Sequence, residues 1–450
     1  MSGLSNKQRR LQSIVLEFVS RKLFSGAVLV HRRYQPLLQA AYGYADLEQR
    51  RVNRPQTIFN IGSMTKSFTA TATLIASERG HLRLTDPVSR YLPELPRGDE
   101  IRIEHLLSNT AGLPDYLNLP IFVDRQHLST PRSALIESFR NEPLQFQPGS
   151  EFAYSNSNWI VLAEILSRAT GMDYAAFLDA AIFGPLGMRR TGYARGAPPP
   201  GAARGHARRD GRLEPSDTIH PSLMDGAGAL HSSIHDLLTF DWALGSSALL
   251  KPETIDLMET PYVTPRERAA SAALGRPAYG FGWFVDSLHG RRCVRHEGGL
   301  FGFVAGLYRF PEEEAAVIVL SNVMDAPLDL VSRALAAELF DESYDLHLDR
   351  DAGALALGEF APYAGTYAGS FLNRPFKMKL EERAGQCYLN LIGWNEFEIQ
   401  RTGERSFFAF AKGGELEATF REGPGGRFDA IDMLWAGTAV TVRRCAAVDS

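Results

Sequence analysis

From Tyr363 to the C-terminus the chain holds a series of short alternating runs: FKMKL, CYLNLI, EFEIQ, SFFAFA, LEATF, DAIDMLW and TAVTVRR, several of them separated by glycine-containing breaks. Side chains alternate across a strand, so such runs with turn punctuation specify a small antiparallel barrel. The texture before this point is different. Strand-like and helix-like runs are mixed, and the change falls near residue 355. A chain of 450 residues is too long for one compact core. The expected division is therefore residues 1–350 and residues 356–450, with no internal repeat of fixed period.

Within the first part, SGAVLVHRRYQPLLQAAYGYADL reads as two strands joined by a turn, and AYGFGWFVD, FGFVAGLYRF and AAVIVLSN read as strands. Between these lie helical patterns: GSMTKSFTATATLIASERG, EHLLSNTAGLP, and NWIVLAEILSRATG stopped by Gly171. Strands first, helices in the middle and strands last imply an α+β domain whose antiparallel sheet is closed by both ends, with a helical lobe inserted. Residues 189–212, rich in Gly, Pro and Arg, read as a surface loop or as a lid over a site.

The net charge is -4, which argues against nucleic acid as the main partner. Three widely spaced cysteines, Cys293, Cys387 and Cys445, match neither a disulfide framework nor a zinc site. The basic N-terminus mimics a signal peptide, but Gln12, Ser13 and Glu17 interrupt its apolar stretch. Leu11, Ile14, Val15, Phe18 and Leu23 instead give an amphipathic helix. No apolar run reaches the roughly 18 residues of a membrane span. The expected location is cytoplasmic, with no membrane partner.

Ser63 and Lys66 stand three residues apart at the start of a core helix, so the amine can reach the hydroxyl. A serine is a weak nucleophile until a neighbour takes its proton, and a lysine does so when burial and positive charge lower its pKa. The first turn of a helix supplies a positive field and free N–H groups for an oxyanion. An N-cap serine with a surface lysine would show the same spacing. Two further segments favour chemistry. Tyr154, Ser155 and Asn156 lie just before a helix, where a tyrosine can relay a proton and an asparagine can hold a substrate amide. His296-Glu297-Gly298-Gly299 leads into a strand whose glycines let a backbone N–H face a substrate oxygen.

SMTK, YSN and HEG, in this order, resemble the S-x-x-K, Y-x-N and K-T-G or H-x-G motifs of serine β-lactamases and penicillin-binding proteins. The flanks FSGAVLVHRR, AYGYADLE, TIFNIGSMTKSFTA, HLLSNTAGLPDY, GAGALHSSIHDLLTF and YGFGWFV resemble the class C β-lactamase/esterase branch, over about residues 20–340. The resemblance implies Ser63 as the acylated nucleophile, Lys66 as activator and Tyr154 as shared general acid and base. It implies Asn156 as a substrate-binding residue and the backbone N–H groups of Ser63 and Gly299 as the oxyanion hole. Which of Lys66 and Tyr154 takes the first proton stays open. His296, at the substrate-binding position where many relatives carry lysine, argues against β-lactamase activity.

The chain also resembles the stand-alone penicillin-binding-protein-type thioesterases of nonribosomal peptide pathways, with a lipocalin-like barrel after the catalytic domain. This likeness implies a thioesterase that takes a peptide, D-configured at its acyl end, from the phosphopantetheine of a peptidyl carrier protein onto Ser63. Head-to-tail macrolactamisation would then release it. The partners implied are that carrier protein, its nonribosomal peptide synthetase and the linear peptide. No cofactor or metal of the enzyme's own is implied. An arginine from the end of the barrel is expected at the substrate, and Arg443 and Arg444 are the candidates. The alternative is an intracellular esterase or D-amino-acid peptidase. His231 and His235 have helical zinc-site spacing without a third ligand, and Glu297 reads as an exposed strand-edge carboxylate. Asp115 and Tyr116 receive no role.

Overall fold

A computed structural model describes residues 5–209, 212–262, 278–346, 348, 360–371, 374–383, 386–391, 395–411, 414–423, 428–435 and 438–445. The boundary expected near residue 355 lies outside them.

Seven strands form the central sheet, in the spatial order Ala278–Tyr279, Phe284–Leu288, Arg291–Leu300, Phe303–Phe310, Ala315–Ser321, Gly26–Arg32 and Gln35–Tyr42. Every neighbouring pair is antiparallel. The N-terminal hairpin joins the last strand, with Gly26 opposite Ser321 and Arg32 opposite Ala315, so the sheet is closed by segments nearly 300 residues apart in sequence. Alternation explains its two buried faces. Ala27, Leu29, Ala316, Ile318 and Leu320 belong to the core shared with the helical lobe. Val28, Val30, Val317 and Val319 belong to a second core, under the helices Asn6–Ser20 and Leu328–Leu339. A strand covered on both sides is apolar throughout, which is why AAVIVL shows no alternation in its sequence.

The N-terminal helix forms as its pattern requires. Ser5 and Gln8 close a reciprocal capping box, and Leu11, Ile14, Val15 and Phe18 are buried. Burying each such side chain stabilises by about 1.5–3 kcal/mol, an upper figure for an extended unfolded reference. Lys7 and Arg10 meet Glu338, tying this helix to Leu328–Leu339.

Two local expectations change. EHLLSNTAGLP is helical only over Ile103–Leu107, because Asn109 turns left-handed at φ 57° and the chain departs toward Asp115. Residues 189–212 are not a single loop. Gly192–Tyr193 pairs with Leu230–Ser232, which also pairs with Phe59–Asn60, and His206–Arg209 forms a hairpin with Arg212–Pro215. Arg195, Arg204 and Arg208 hold Asp173, Glu48 and Asp325.

Beyond residue 360, eight strands follow one another as an up-and-down meander and close into a barrel, with Tyr367 opposite Arg444 and Ala368 opposite Arg443. Tyr363, Tyr367, Phe407, Phe420 and Phe428 pack into its core with Ile431 and Val442. The barrel strand Gly414–Glu422 adjoins the helix Leu328–Leu339.

Candidate active site

Ser63 lies in a single 3-10 turn, Gly62–Met64, that runs directly into the helix Thr65–Glu78. Gly62 has φ 48°, a conformation that glycine adopts without the steric penalty of a Cβ. A Cβ there would lie 2.9 Å from the Gly299 nitrogen. On the facing strand, a Cβ on Gly298 would lie 1.9 Å from the Ile61 carbonyl oxygen and 2.9 Å from the Ser63 nitrogen. The glycines thus let the Arg291–Leu300 strand lie backbone-to-backbone on the nucleophile turn. The outer edge of this strand is paired by Phe284–Leu288 only as far as Arg295. The Gly299 segment lies past that limit, beside Ser63.

Lys66 is not a surface lysine. It is fully buried, and Nζ lies 3.0 Å from Ser63 Oγ, 2.8 Å from Asn156 Oδ1 and 2.7 Å from the Ala227 carbonyl oxygen. The two acceptors can take two N–H bonds of a neutral amine, leaving its lone pair for the Ser63 hydroxyl proton. This geometry places Lys66 within direct reach of the first proton. Tyr154 stands against the same amine, its ring centroid 5.1 Å from Nζ. Its ring is parallel to Phe284 and edge-on to Tyr279, in an aromatic wall that also contains His296.

Asn156 is 2% exposed, and both ends of its amide are used. Oδ1 accepts from Lys66 and Nδ2 donates to Asp115 Oδ2 at 2.9 Å. An ionised carboxylate only accepts, so Asp115 orients the amide with its oxygen toward Lys66. Asn156 thus holds the lysine through the same amide that the sequence reading assigns to substrate. Asp115, which the sequence left without a role, is the residue that fixes this hold. Its signal was its place in HLLSNTAGLPDY. Ala227 acts through its backbone and leaves no side-chain signal.

His296 is 1% exposed. Nδ1 is 2.6 Å from the Glu297 carbonyl oxygen and Nε2 is 3.3 Å from Tyr279 Oη. Burial, then the neighbouring charges of Lys66 and Arg295, push its pKa well below the usual histidine range. It is a neutral imidazole. Arg295 next to it is engaged by Asp286 and Glu297, so Glu297 is an ion-pair partner and not a solvated edge group.

The barrel arginines are not brought into this cluster by any contact among the described residues. Arg444 donates to the carbonyls of Phe428, Ala364 and Pro362 and to Tyr367 Oη, all in or beside the barrel. Arg443 is exposed on the barrel's last strand. His231 lies on the strand Leu230–Ser232 and His235 on the helix Ile234–Gly245, so they do not share a helical face. Among the described residues no three His, Cys, Asp or Glu side chains gather as a metal site.

Comparisons with known proteins agree with this geometry. The Beta-lactamase family model matches residues 11–341. Penicillin-binding protein 4* of Bacillus subtilis is 27% identical over 438 residues, covering 93% of this chain and 95% of that one. Esterase EstB of Burkholderia gladioli is 30% identical over 362 residues, covering 70% of this chain and 90% of that one. The octameric penicillin-binding protein homologue from Pyrococcus abyssi superimposes with a TM-score of 0.67 at 23% identity, covering 97% of this chain and 99% of that chain. With Ser63 in reach of a buried Lys66 and a family match that spans the whole catalytic sheet, the chain belongs to the Beta-lactamase family, within the superfamily of β-lactamase and penicillin-binding-protein serine hydrolases.

Proposed function

We propose that the protein is an acyl-transferring serine enzyme that accepts peptidyl thioesters and releases the peptide as a macrolactam. The observation that carries the reading is the buried His296, where many relatives carry lysine, beside an Arg295 paired with Asp286 and Glu297. A leaving group with a carboxylate at this wall would lose its hydration without gaining a cation from His296 or an unpaired one from Arg295. A pantetheine thiol carries no carboxylate next to the reacting bond. In this reading Lys66 takes the Ser63 proton as Oγ bonds to the thioester carbonyl. The N–H groups of Ser63 and Gly299 hold the oxyanion, the C–S bond breaks, and the departing sulfur is protonated with Tyr154 as the relay. The peptide's own neutral amine then attacks the seryl ester and gives a proton to the Lys66–Tyr154 pair, the C–Oγ bond breaks, and the pair passes that proton to Ser63. A carrier protein delivers the substrate on phosphopantetheine, and the lipocalin-like barrel flanks the catalytic domain.

A second reading, hydrolysis of simple esters or D-residue amides with water as the resolving nucleophile, is favoured by the 30% identity to an esterase. One experiment separates the two. A linear peptidyl thioester with a D-residue at the acyl end and a free N-terminus is incubated with wild type and Ser63→Ala, and the products are weighed. The expected product is one water lighter than the linear acid and absent with Ser63→Ala. Ser63-dependent linear acid alone overturns the cyclase reading in favour of the hydrolase, and an ester and a D-residue amide assayed in parallel define its substrate. A peptide carrying a C-terminal D-Ala-D-Ala carboxylate is expected to react at least ~10-fold more slowly than the corresponding neutral amide, since one missing charge contact is worth over about 1.4 kcal/mol.

A further inference from the structure

Two of the acceptors around Lys66 lie on separate segments. Asn156 immediately precedes the helix Ser157–Thr170, and Ala227 lies in the single turn Asp225–Gly228. One side chain joins them. Arg132 Nε and Nη2 donate to the two oxygens of Asp225, at 2.5 Å and 3.1 Å. Its Nη1 reaches the Ala163 carbonyl, Glu164 Oε2 and Ser167 Oγ on the helix that follows Asn156. Asp225 is 2% exposed and also accepts from Tyr193 Oη at 2.9 Å. Its φ is 32°, a region a non-glycine residue keeps only where its surroundings hold it. The next residue is pressed on the same helix: a Cβ on Gly226 would lie 2.5 Å from the Trp159 carbonyl oxygen, and the Gly226 carbonyl accepts from Thr69 Oγ1 at 2.8 Å.

We propose that Arg132 and Asp225 are positioning residues for Lys66, setting the Ala227 carbonyl and the Asn156 amide at the separation that aims the amine at Ser63. Neither touches the reacting atoms. An ion pair used only to stabilise the lobe has no need to hold a strained turn whose carbonyl binds the catalytic amine. The inference rests on acylation of Ser63 with Lys66 as base, and not on which nucleophile resolves the acyl-enzyme.

The test uses the full chain and a fluorophosphonate probe, whose labelling of Ser63 reports activation without the native substrate. Labelling rates are measured from pH 6 to 10 for wild type, Asp225→Asn, Arg132→Lys, Arg132→Ala and Tyr193→Phe, alongside thermal melts. Asp225→Asn is expected to lower the plateau rate about 10- to 100-fold, as small displacements of catalytic groups do. Its rising limb is expected to move to lower pH, because the turn that binds Lys66 loses a carboxylate while Arg132 keeps only Glu164 as a counter-charge. Arg132→Lys is expected to retain more activity than Arg132→Ala, and Tyr193→Phe, which deletes one bond to Asp225, to lose several-fold. Wild-type rates and an unmoved limb in folded Asp225→Asn and Tyr193→Phe would overturn the proposal. So would losses that only track the folded fraction. If wild type itself resists labelling, as Ser63→Ala should, the acylation reading falls and this inference with it.

Discussion

Asn156 shows how one residue's chemistry depends on the next. An amide can present either its oxygen or its nitrogen, and only the oxygen accepts from an amine. Asp115 decides the matter by accepting from Nδ2. Asp115→Asn removes that bias, since the new amide donates as well as accepts. The variant is expected to fold, to keep KM near wild type and to lose about 10- to 100-fold in kcat, as when an interaction made in the transition state is removed. Steady-state kinetics on an ester substrate checks it, and a change confined to KM would contradict it. Apart from Asp115, the side chains of this cluster were legible because S-x-x-K, Y-x-N and H-x-G each confine two functional groups within four residues. Ala227 was not, since every residue carries a carbonyl. The Arg132–Asp225 pair joins positions 93 apart and is created only by the fold.

Among the elements, the strand Arg291–Leu300 does the most to shape the site, because its glycines set how closely it approaches the nucleophile turn. Gly298→Ala would place a methyl group 1.9 Å from the Ile61 carbonyl oxygen, and the strand or the turn must shift. The expected cost is about 1–3 kcal/mol of stability, together with loss of most Ser63 acylation as the Gly299 N–H moves off the oxyanion. Urea denaturation and probe labelling measure the two effects. Full labelling in the variant would show that this strand does not supply an oxyanion donor. The strands and the helix before Gly171 were readable from periodicity, since two-faced burial and a left-handed cap both leave marks in sequence. The pairing of Gly192–Tyr193 was not readable. A two-residue strand has no periodicity, and the surrounding glycines and prolines resemble a loop.

At the scale of the whole molecule, several histidines are wholly or partly withdrawn from solvent, which favours the neutral form. Burial lowers His231 from 6.5 to about 4. Burial and then Arg102 lower His105 to about 4, and His296 lies well below 6.5. Above pH 6.5 both folded and unfolded states hold these rings neutral, and the fold has its full stability. As pH falls from 6.5 toward 4, the unfolded chain binds protons that the folded chain does not. Stability then declines, by up to about 1.4 kcal/mol per pH unit for each histidine. Urea midpoints at pH 7, 6 and 5 should fall accordingly, and His231→Gln should reduce the slope by one histidine's share. An unchanged slope would contradict the assignment. The change of texture in the sequence falls between the last strand of the seven-stranded sheet and the first strand of the barrel. The disposition of Arg444 was not, because an arginine at a strand end reads the same whether it faces a substrate or, as here, binds carbonyls in and beside its own barrel.

The most direct test of the Ser63–Lys66 assignment is the intact mass of the enzyme, acid-quenched within its first turnovers on a peptidyl thioester. The expected result is an adduct of the acyl mass, mapped to the peptide bearing Ser63, absent in Ser63→Ala and strongly diminished in Lys66→Met. Turnover with Ser63 unmodified, or an adduct that persists in Ser63→Ala, would contradict it.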